Sequence, residues 1–156
     1  MKRKSKVIAI IPARIGSKRI KKKNIKKFFG YPLIFYPIKL AKKSNLFDKI
    51  IVSTDDNEIA KISRSLGAEV PFIRPSYLSE DKTPTLDVIN HFLDWIDNNS
   101  IKVEAIVLLQ PTSPLRNEKH IDEAIKLFRE KSASSVVSVV KVPHQFCPYS
   151  VMKLNS

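Results

Sequence analysis

Short runs of unbroken apolar residues, separated by stretches with helical spacing, constrain the fold of this chain more than any other feature. Val7-Ile8-Ala9-Ile10-Ile11 is apolar at every position, as are Ile50-Ile51-Val52 and Ala105-Ile106-Val107-Leu108-Leu109. A strand with one wet face alternates apolar and polar residues, whereas a strand covered on both faces does not, so these runs read as strands of a parallel sheet between helices. Val136-Val137-Ser138-Val139-Val140 reads as a fourth strand. Val70-Pro71-Phe72-Ile73 reads as an extended edge piece, because Pro71 has no N–H to give to a ladder.

Between these runs the apolar residues recur every three or four positions. Ile59, Ile62 and Leu66 form one stripe, with Gly67 as its C-cap. Asp55, followed three residues later by Glu58, resembles a capping box for that helix. Leu86, Ile89, Phe92, Leu93 and Ile96 form a second stripe, and Ile121, Ala124, Ile125 and Phe128 a third. Residues 32–44 read as a further helix, which Pro37 must kink or shift. Trp95 and the phenylalanines at helical spacing read as core, and His91 and His120 as helix surface. The alternation predicts an α/β fold: a three-layer α/β/α, Rossmann-like, mostly parallel sheet. Ligands of such sheets bind at the carboxyl ends of the strands.

Residues 1–156 have the size of a single domain. No run of about 18 apolar residues is present, so no membrane span is expected. The basic Met1–Lys6 stretch precedes an apolar run too short for a signal peptide, and that run reads as a strand. Cys147 is the only cysteine and has no partner for an internal disulfide, which suits a reducing cytoplasm. The chain stops after the last expected strand, without the helix that should follow, which suggests a C-terminally truncated domain.

Charge narrows the function. The net charge is +13, and residues 1–47 hold fifteen Lys and Arg and no Asp or Glu. A field that concentrated attracts polyanions such as nucleoside triphosphates, nucleic acids or anionic membranes. Right after the first expected strand comes Pro12-Ala13-Arg14-Ile15-Gly16-Ser17-Lys18-Arg19-Ile20-Lys21-Lys22-Lys23-Asn24. Arg14, Lys18, Arg19 and Lys23 supply positive charge, and Gly16 and Ser17 let backbone N–H groups approach an anion. An arginine fork can grip phosphate oxygens. Neither G-x-x-x-x-G-K-[ST] nor G-x-G-x-x-G occurs, which excludes a P-loop kinase and a standard dinucleotide-binding domain. A solvated basic loop is the plain alternative.

Four segments, in order, resemble the acylneuraminate cytidylyltransferase family, the synthetases of CMP-sialic, CMP-legionaminic and CMP-pseudaminic acids. The first is Ile10-Ile11-Pro12-Ala13-Arg14 with Gly16-Ser17-Lys18 and Lys23-Asn24. The second is Val52-Ser53-Thr54-Asp55, and the third Arg74-Pro75 with Leu78, Asp81 and Thr85. The fourth, Leu109-Gln110-Pro111-Thr112-Ser113-Pro114-Leu115-Arg116, is the most distinctive. The resemblance implies the fold of the nucleotide-diphospho-sugar transferases and a reaction in which the anomeric hydroxyl of a nine-carbon sugar acid attacks the α-phosphate of CTP and pyrophosphate leaves. It implies Mg2+ as cofactor, a cytoplasmic enzyme and a homodimer in the full-length form.

Carried over residue by residue, the resemblance makes Arg14 and Lys23 the catalytic cations. Arg14 would hold the triphosphate and steady the pyrophosphate, and Lys23-Asn24 would close the loop of which Gly16, Ser17 and Lys18 form the centre. Arg74 and Thr85 match positions near the cytidine and its ribose, and Gln110 a position near sugar acid and nucleotide. Gln110 could instead tie down the Pro111–Pro114 turn, Arg74 could be a surface arginine before a proline, and Thr85 could cap the helix that follows it. Asp55 reads as a cap rather than a metal ligand. Arg116 could face a sugar carboxylate or solvent; His144 matches a histidine that relatives often carry before the substrate-binding region, or has a purely structural role.

The chain departs from the family at Ile15, most often a glycine, and at Arg19, often a glycine in the sialic-acid enzymes. Gly16-Ser17-Lys18-Arg19-Ile20 resembles the pseudaminic and legionaminic branches, and Leu109–Pro114 the sialic and legionaminic ones, which makes legionaminic acid or a close relative the expected sugar. Family members also run on well beyond this length, and the metal-binding aspartates lie there, so no metal ligand is located here. Two other readings follow from the residues: a nucleotide-binding remnant without turnover, and a nucleic-acid-binding domain. No helix-turn-helix, RNP or zinc signature supports the second, so neither nucleic acid nor membrane is an expected partner.

Overall fold

The structure, a computed structural model, describes residues 6–141 and 143. His144 and Cys147 therefore lie outside the described residues. In chain order the elements are β1 (Lys6–Pro12), a 3-10 turn (Lys23–Ile25), β2 (Lys27–Phe28), β3 (Tyr31–Pro32), α1 (Phe35–Ser44), β4 (Lys49–Ser53), α2 (Asn57–Ser65), a second 3-10 turn (Ser76–Leu78), α3 (Thr85–Asn98), β5 (Val103–Leu108) and α4 (Glu118–Glu130). The chain divides into two compact units, residues 1–121 and 122–156.

The first unit is built on a three-stranded sheet in the order β4-β1-β5, parallel throughout. Side chains alternate between the faces of a strand. Ile8 and Ile10 of β1 and Ile51 of β4 point to one face, where they meet Phe92 and Ile96 of α3, with Phe72, Trp95 and Ile106 packed against the cluster. Each of these five wholly buried side chains contributes about 1.5–3 kcal/mol over leaving it in water. The alternation sends Ala9, Ile11 and Val52, also fully buried, to the opposite face. There α1 packs on β1 and β4 through an apolar side that includes Ile38 and Ala41. Helix, sheet and helix form the expected three layers.

Three local differences from the sequence reading have clear causes. Helix α1 starts at Phe35, so Pro37 falls in its first turn, where the missing N–H has no intrahelical acceptor to leave empty, and no kink is required. Residues 70–73 are not a strand: beside β4 the chain makes only isolated parallel bridges, Ile51 to Glu69 and Thr54 to Ile73, as expected where Pro71 interrupts the donors. Residues 136–140 are not a strand either. Val137, Val139 and Val140 are 77%, 87% and 86% exposed, and β-branched residues alone do not make a strand without a ladder partner.

A hairpin that the periodicity hides lies between the 3-10 turn and α1. β2 and β3 pair antiparallel across Phe29-Gly30, whose φ values of 44° and 86° suit a tight primed turn. Tyr36 donates its hydroxyl to the Phe28 carbonyl, and Tyr31 stacks on Phe35 at 4.3 Å. Gly67 closes α2 at φ 88°, and a Cβ there would lie 2.6 Å from the Lys42 ammonium.

Asp56, not Asp55, caps α2. Its carboxylate accepts the Ile59 N–H at 2.9 Å from an extended backbone, φ −129° and ψ 133°. Asp56→Ala is expected to cost about 1 kcal/mol, read as a lower urea midpoint at unchanged slope. An unmoved midpoint would mean that water satisfies that N–H equally well.

Candidate functional site

β1 is the central strand, and the chain goes from it first to β4 on one side and later to β5 on the other. At such a reversal the connections diverge and leave a crevice at the carboxyl ends of the strands, where α/β sheets bind their ligands. A cavity of about 220 Å³ lies there. The loop after β1 lines it with Pro12, Arg14, Gly16, Ser17, Lys23 and Asn24, and the loop after β5 with Gln110, Pro111 and Thr112. Arg74, Thr85 and the Leu78–Thr83 region close a further side. A wider groove lined by Arg14, Gly16, Ser17, Lys18 and Ser79–Lys82 adjoins it.

Arg14, Gly16, Ser17, Lys18, Lys23, Asn24, Arg74, Thr85 and Gln110, the site residues expected from the resemblance, each line one of these two surfaces, although their chemical situations differ. Arg14 is committed: Nη1 donates to the Ser79 carbonyl at 3.1 Å, and Nη2 to Asp81 Oδ1 at 2.6 Å. Lys18, 78% exposed, meets the other Asp81 oxygen at 2.9 Å. The ammonium of Lys18 and the guanidinium of Arg14 hold the Asp81 carboxyl below its ordinary value. Lys23 has no ion pair among the described residues, so its ammonium is uncommitted at the cavity wall. A Cβ at Gly16 would meet nothing within 4 Å, so glycine leaves that volume to the cavity.

Arg74 is only 3% exposed. Its Nε donates to Ser79 Oγ at 3.0 Å and its N–H to the Thr54 carbonyl at 2.7 Å. Burial pushes this guanidinium below its usual range; the charge of Asp55 opposes that shift and the charge of Arg14 adds to it. A surface arginine would show neither the burial nor the shift.

Among the described residues, the Gln110 side chain makes no hydrogen bond that would tie down its turn. The backbone carbonyl does so, accepting Ser113 N–H at 3.2 Å, and the exposed amide is left facing the cavity. Thr85 is the first residue of α3 and follows the capping position, held by Pro84. Asn24 is 7% exposed and is used internally: Nδ2 donates to the Arg14 carbonyl at 2.8 Å. Ile15 lines neither surface, which accommodates the larger side chain where a glycine was expected. Arg116 is half-buried, lines neither surface, and has Nη1 buried without an acceptor among the described residues. His91 is not simply surface, since its ring meets Phe72 edge-on at 4.8 Å.

The sequence reading overlooked Ser79 and Glu80 and gave Asp81 and Asp55 no part in the site. Asp81 carried a usable signal, being an acidic residue within a matching motif in a chain whose cations cluster elsewhere. Asp55 accepts Ile15 N–H at 3.0 Å, a contact across 40 residues that no spacing rule reveals.

Fold and cavity together define a three-layer α/β domain with a cation-lined crevice at the carboxyl ends of its parallel strands. The cytidylyltransferase family profile matches residues 8–152, and the chain belongs to that family. It is 40% identical over 139 residues to an N-acylneuraminate cytidylyltransferase of Escherichia coli O18:K1:H7, covering 88% of this chain and 32% of that protein. It is 36% identical over 134 residues to a CMP-N,N'-diacetyllegionaminic acid synthase of Legionella pneumophila, covering 86% of this chain and 57% of that one. The chain thus spans about half the length, or less, of these curated relatives. A solved CMP:2-keto-3-deoxy-manno-octonic acid synthetase complexed with CTP shares the fold, with a TM-score of 0.67 and 22% identity over 83% of this chain and 49% of that one.

Proposed function

We propose that this chain forms the CTP-binding part of an enzyme that transfers CMP to the anomeric hydroxyl of a nonulosonic acid. The observation that carries the reading is the meeting, at one crevice, of the β1 loop cations with Gln110 from the β5 loop. The first suits a triphosphate and the second a polar ligand beside it.

In the proposed reaction the anomeric oxygen forms a bond to the α-phosphorus, the bond from that phosphorus to the bridging oxygen breaks, pyrophosphate leaves, and the hydroxyl proton passes to solvent or a base. Such transfer needs positioning and charge neutralisation more than covalent catalysis. Arg14 and Lys23 would neutralise the triphosphate and the leaving pyrophosphate. Gly16, Ser17 and Lys18 would hold phosphate oxygens, while Arg74 and Thr85 would lie toward the nucleoside. Magnesium is proposed to accompany the nucleotide, supplying charge neutralisation at phosphate oxygens. No group of three or more His, Cys, Asp or Glu among the described residues could hold a metal, so no residue here is assigned to it. The sugar is proposed to be legionaminic acid or a close relative, and the full-length protein a cytoplasmic homodimer working where CTP is made. No helix among the described residues is long and apolar enough to cross a membrane.

Calorimetric titration of the chain with CTP, UTP and ATP, with magnesium and at two salt concentrations, tests the reading. CTP is expected to bind at least about tenfold more tightly than the others, a difference of roughly 1.4 kcal/mol. Equal binding of all three that collapses with salt would overturn it and favour a general polyanion site. CTP binding without turnover on any sugar acid would favour a nucleotide-binding remnant.

A further inference from the structure

The carbonyl of Arg14 and the N–H of Ile15 belong to one planar peptide group. The protein holds both ends of it. Asn24 Nδ2 donates to the carbonyl at 2.8 Å, and Asp55 Oδ1 accepts the N–H at 3.0 Å. The two grips come from separate parts of the unit. Asn24 sits in the Lys23–Ile25 turn, whose place is fixed because Ile34 N–H donates to the Asn24 carbonyl at 2.9 Å. Asp55 sits at the junction of β4 and α2, between Thr54, whose hydroxyl accepts Asp56 N–H at 3.2 Å, and Asp56, which caps α2. One residue upstream, Ala13 N–H donates to the Ser53 carbonyl at 2.9 Å and continues the pairing of β1 with β4. The backbone is therefore pinned on both sides of the Arg14 α-carbon, which sets the direction in which its side chain leaves the loop.

We propose that Asp55 is a positioning residue of the phosphate loop, acting with Asn24 through the Arg14–Ile15 peptide. This inference rests on the reading of that loop as a triphosphate site. It divides the loop's donors into two sets. Ile15 N–H is turned inward and spent on Asp55. The N–H groups of Gly16 and Ser17 have no protein acceptor among the described residues, and both residues line the cavity. The grip on one peptide leaves the next two amides for an anion, as in a backbone nest. It also gives Asn24 a role other than touching the nucleotide.

The test compares Asp55→Asn, which keeps a carbonyl oxygen able to accept the N–H, with Asp55→Ala, which does not. CTP binding is measured by calorimetry and the Ile15 amide by hydrogen exchange in the free protein. Asp55→Ala is expected to lose protection at the Ile15 amide and to bind CTP about fivefold more weakly, the worth of one hydrogen bond. Asp55→Asn is expected to keep that protection and most of the affinity. Asn24→Ala, which frees the other end of the peptide, is expected to weaken CTP similarly and serves if Asp55→Ala does not fold. Wild-type affinity in Asp55→Ala with the Ile15 amide deprotected would overturn the proposal. Equal losses in Asp55→Asn and Asp55→Ala would also overturn it, pointing to the Asp55 charge beside Arg74 instead. If the wild-type chain binds no CTP, the reading of the site fails, while the exchange data still report whether the grip exists.

Discussion

Arg14→Ala is expected to weaken CTP binding by about tenfold to a hundredfold, the range set by losing charge-assisted hydrogen bonds worth about 1.5–3 kcal/mol. No other cation on the crevice combines its features. Arg14 lines both the cavity and the adjoining groove, and its backbone is held by Asn24 from one side and by the β1–β4 pairing from the other. Its fork is already extended toward an anion, the Asp81 carboxylate at 2.6 Å. Arg14→Lys should recover only part of the loss, because an ammonium cannot reproduce the two parallel bonds of a guanidinium. Calorimetry with CTP and with pyrophosphate separates the phosphate contribution from the rest: both ligands should lose by a similar factor. Unchanged affinities would remove Arg14 from the site.

The sheet was legible because a strand buried on both faces leaves a strong local trace. Val7–Ile11 falls inside β1 and Ile50–Val52 inside β4, and Ala105–Leu109 overruns the end of β5 by one residue. The helices were legible for the same reason, with ends shifted by a few residues. What escaped depends on partners. Val136–Val140 has strand composition without strand pairing, because pairing belongs to two segments and composition to one. The hairpin of β2 and β3 has two-residue strands, too short for any period to register. Asp55 and Asp56 are adjacent acids before the same helix, and only the extended backbone at Asp56 decides which of them caps.

The phosphate loop could be read from charge and position, since a basic segment directly after the first apolar strand has only one place to go in a parallel sheet. Its internal wiring could not. The sequence makes Arg14, Lys18, Lys23 and Asn24 look equivalent as polar residues on a loop. The structure sorts them by what already holds them: Arg14 and Lys18 by Asp81, Asn24 by the Arg14 carbonyl, and Lys23 by no ion pair among the described residues. Arg74 is the reverse case. Nothing in Ile73-Arg74-Pro75 announces a buried guanidinium, and its burial follows from the chain passing beside β4, where Thr54 takes its N–H.

Asp81→Asn is expected to raise affinity for CTP and for pyrophosphate by about tenfold. Without nucleotide, one Asp81 oxygen holds Arg14 at 2.6 Å and the other holds Lys18 at 2.9 Å. A triphosphate that takes these cations must first separate them from the carboxylate, then sit near the charge left behind. Both pairs are exposed and screened by solvent, so each alone is weak, but a triphosphate must displace the two together. The amide of the variant can still accept a hydrogen bond from Arg14, so the loop keeps its geometry while the competing charge is gone. The pH dependence has a definite sign. Lys18 and Arg14 hold the Asp81 carboxyl below its ordinary value, so the pairs persist at any pH above about 4 and dissolve only as pH falls through the lowered value. The gain in Asp81→Asn should therefore be flat between pH 5 and pH 8 and diminish only in stronger acid, where wild type loses its own competing charge. Raised salt should shrink the gain, since exposed pairs are screened. A fall in affinity on Asp81→Asn would mean that the carboxylate stays beside the bound phosphates and aligns Arg14 and Lys18 for them, making it part of the binding site rather than a competitor for it.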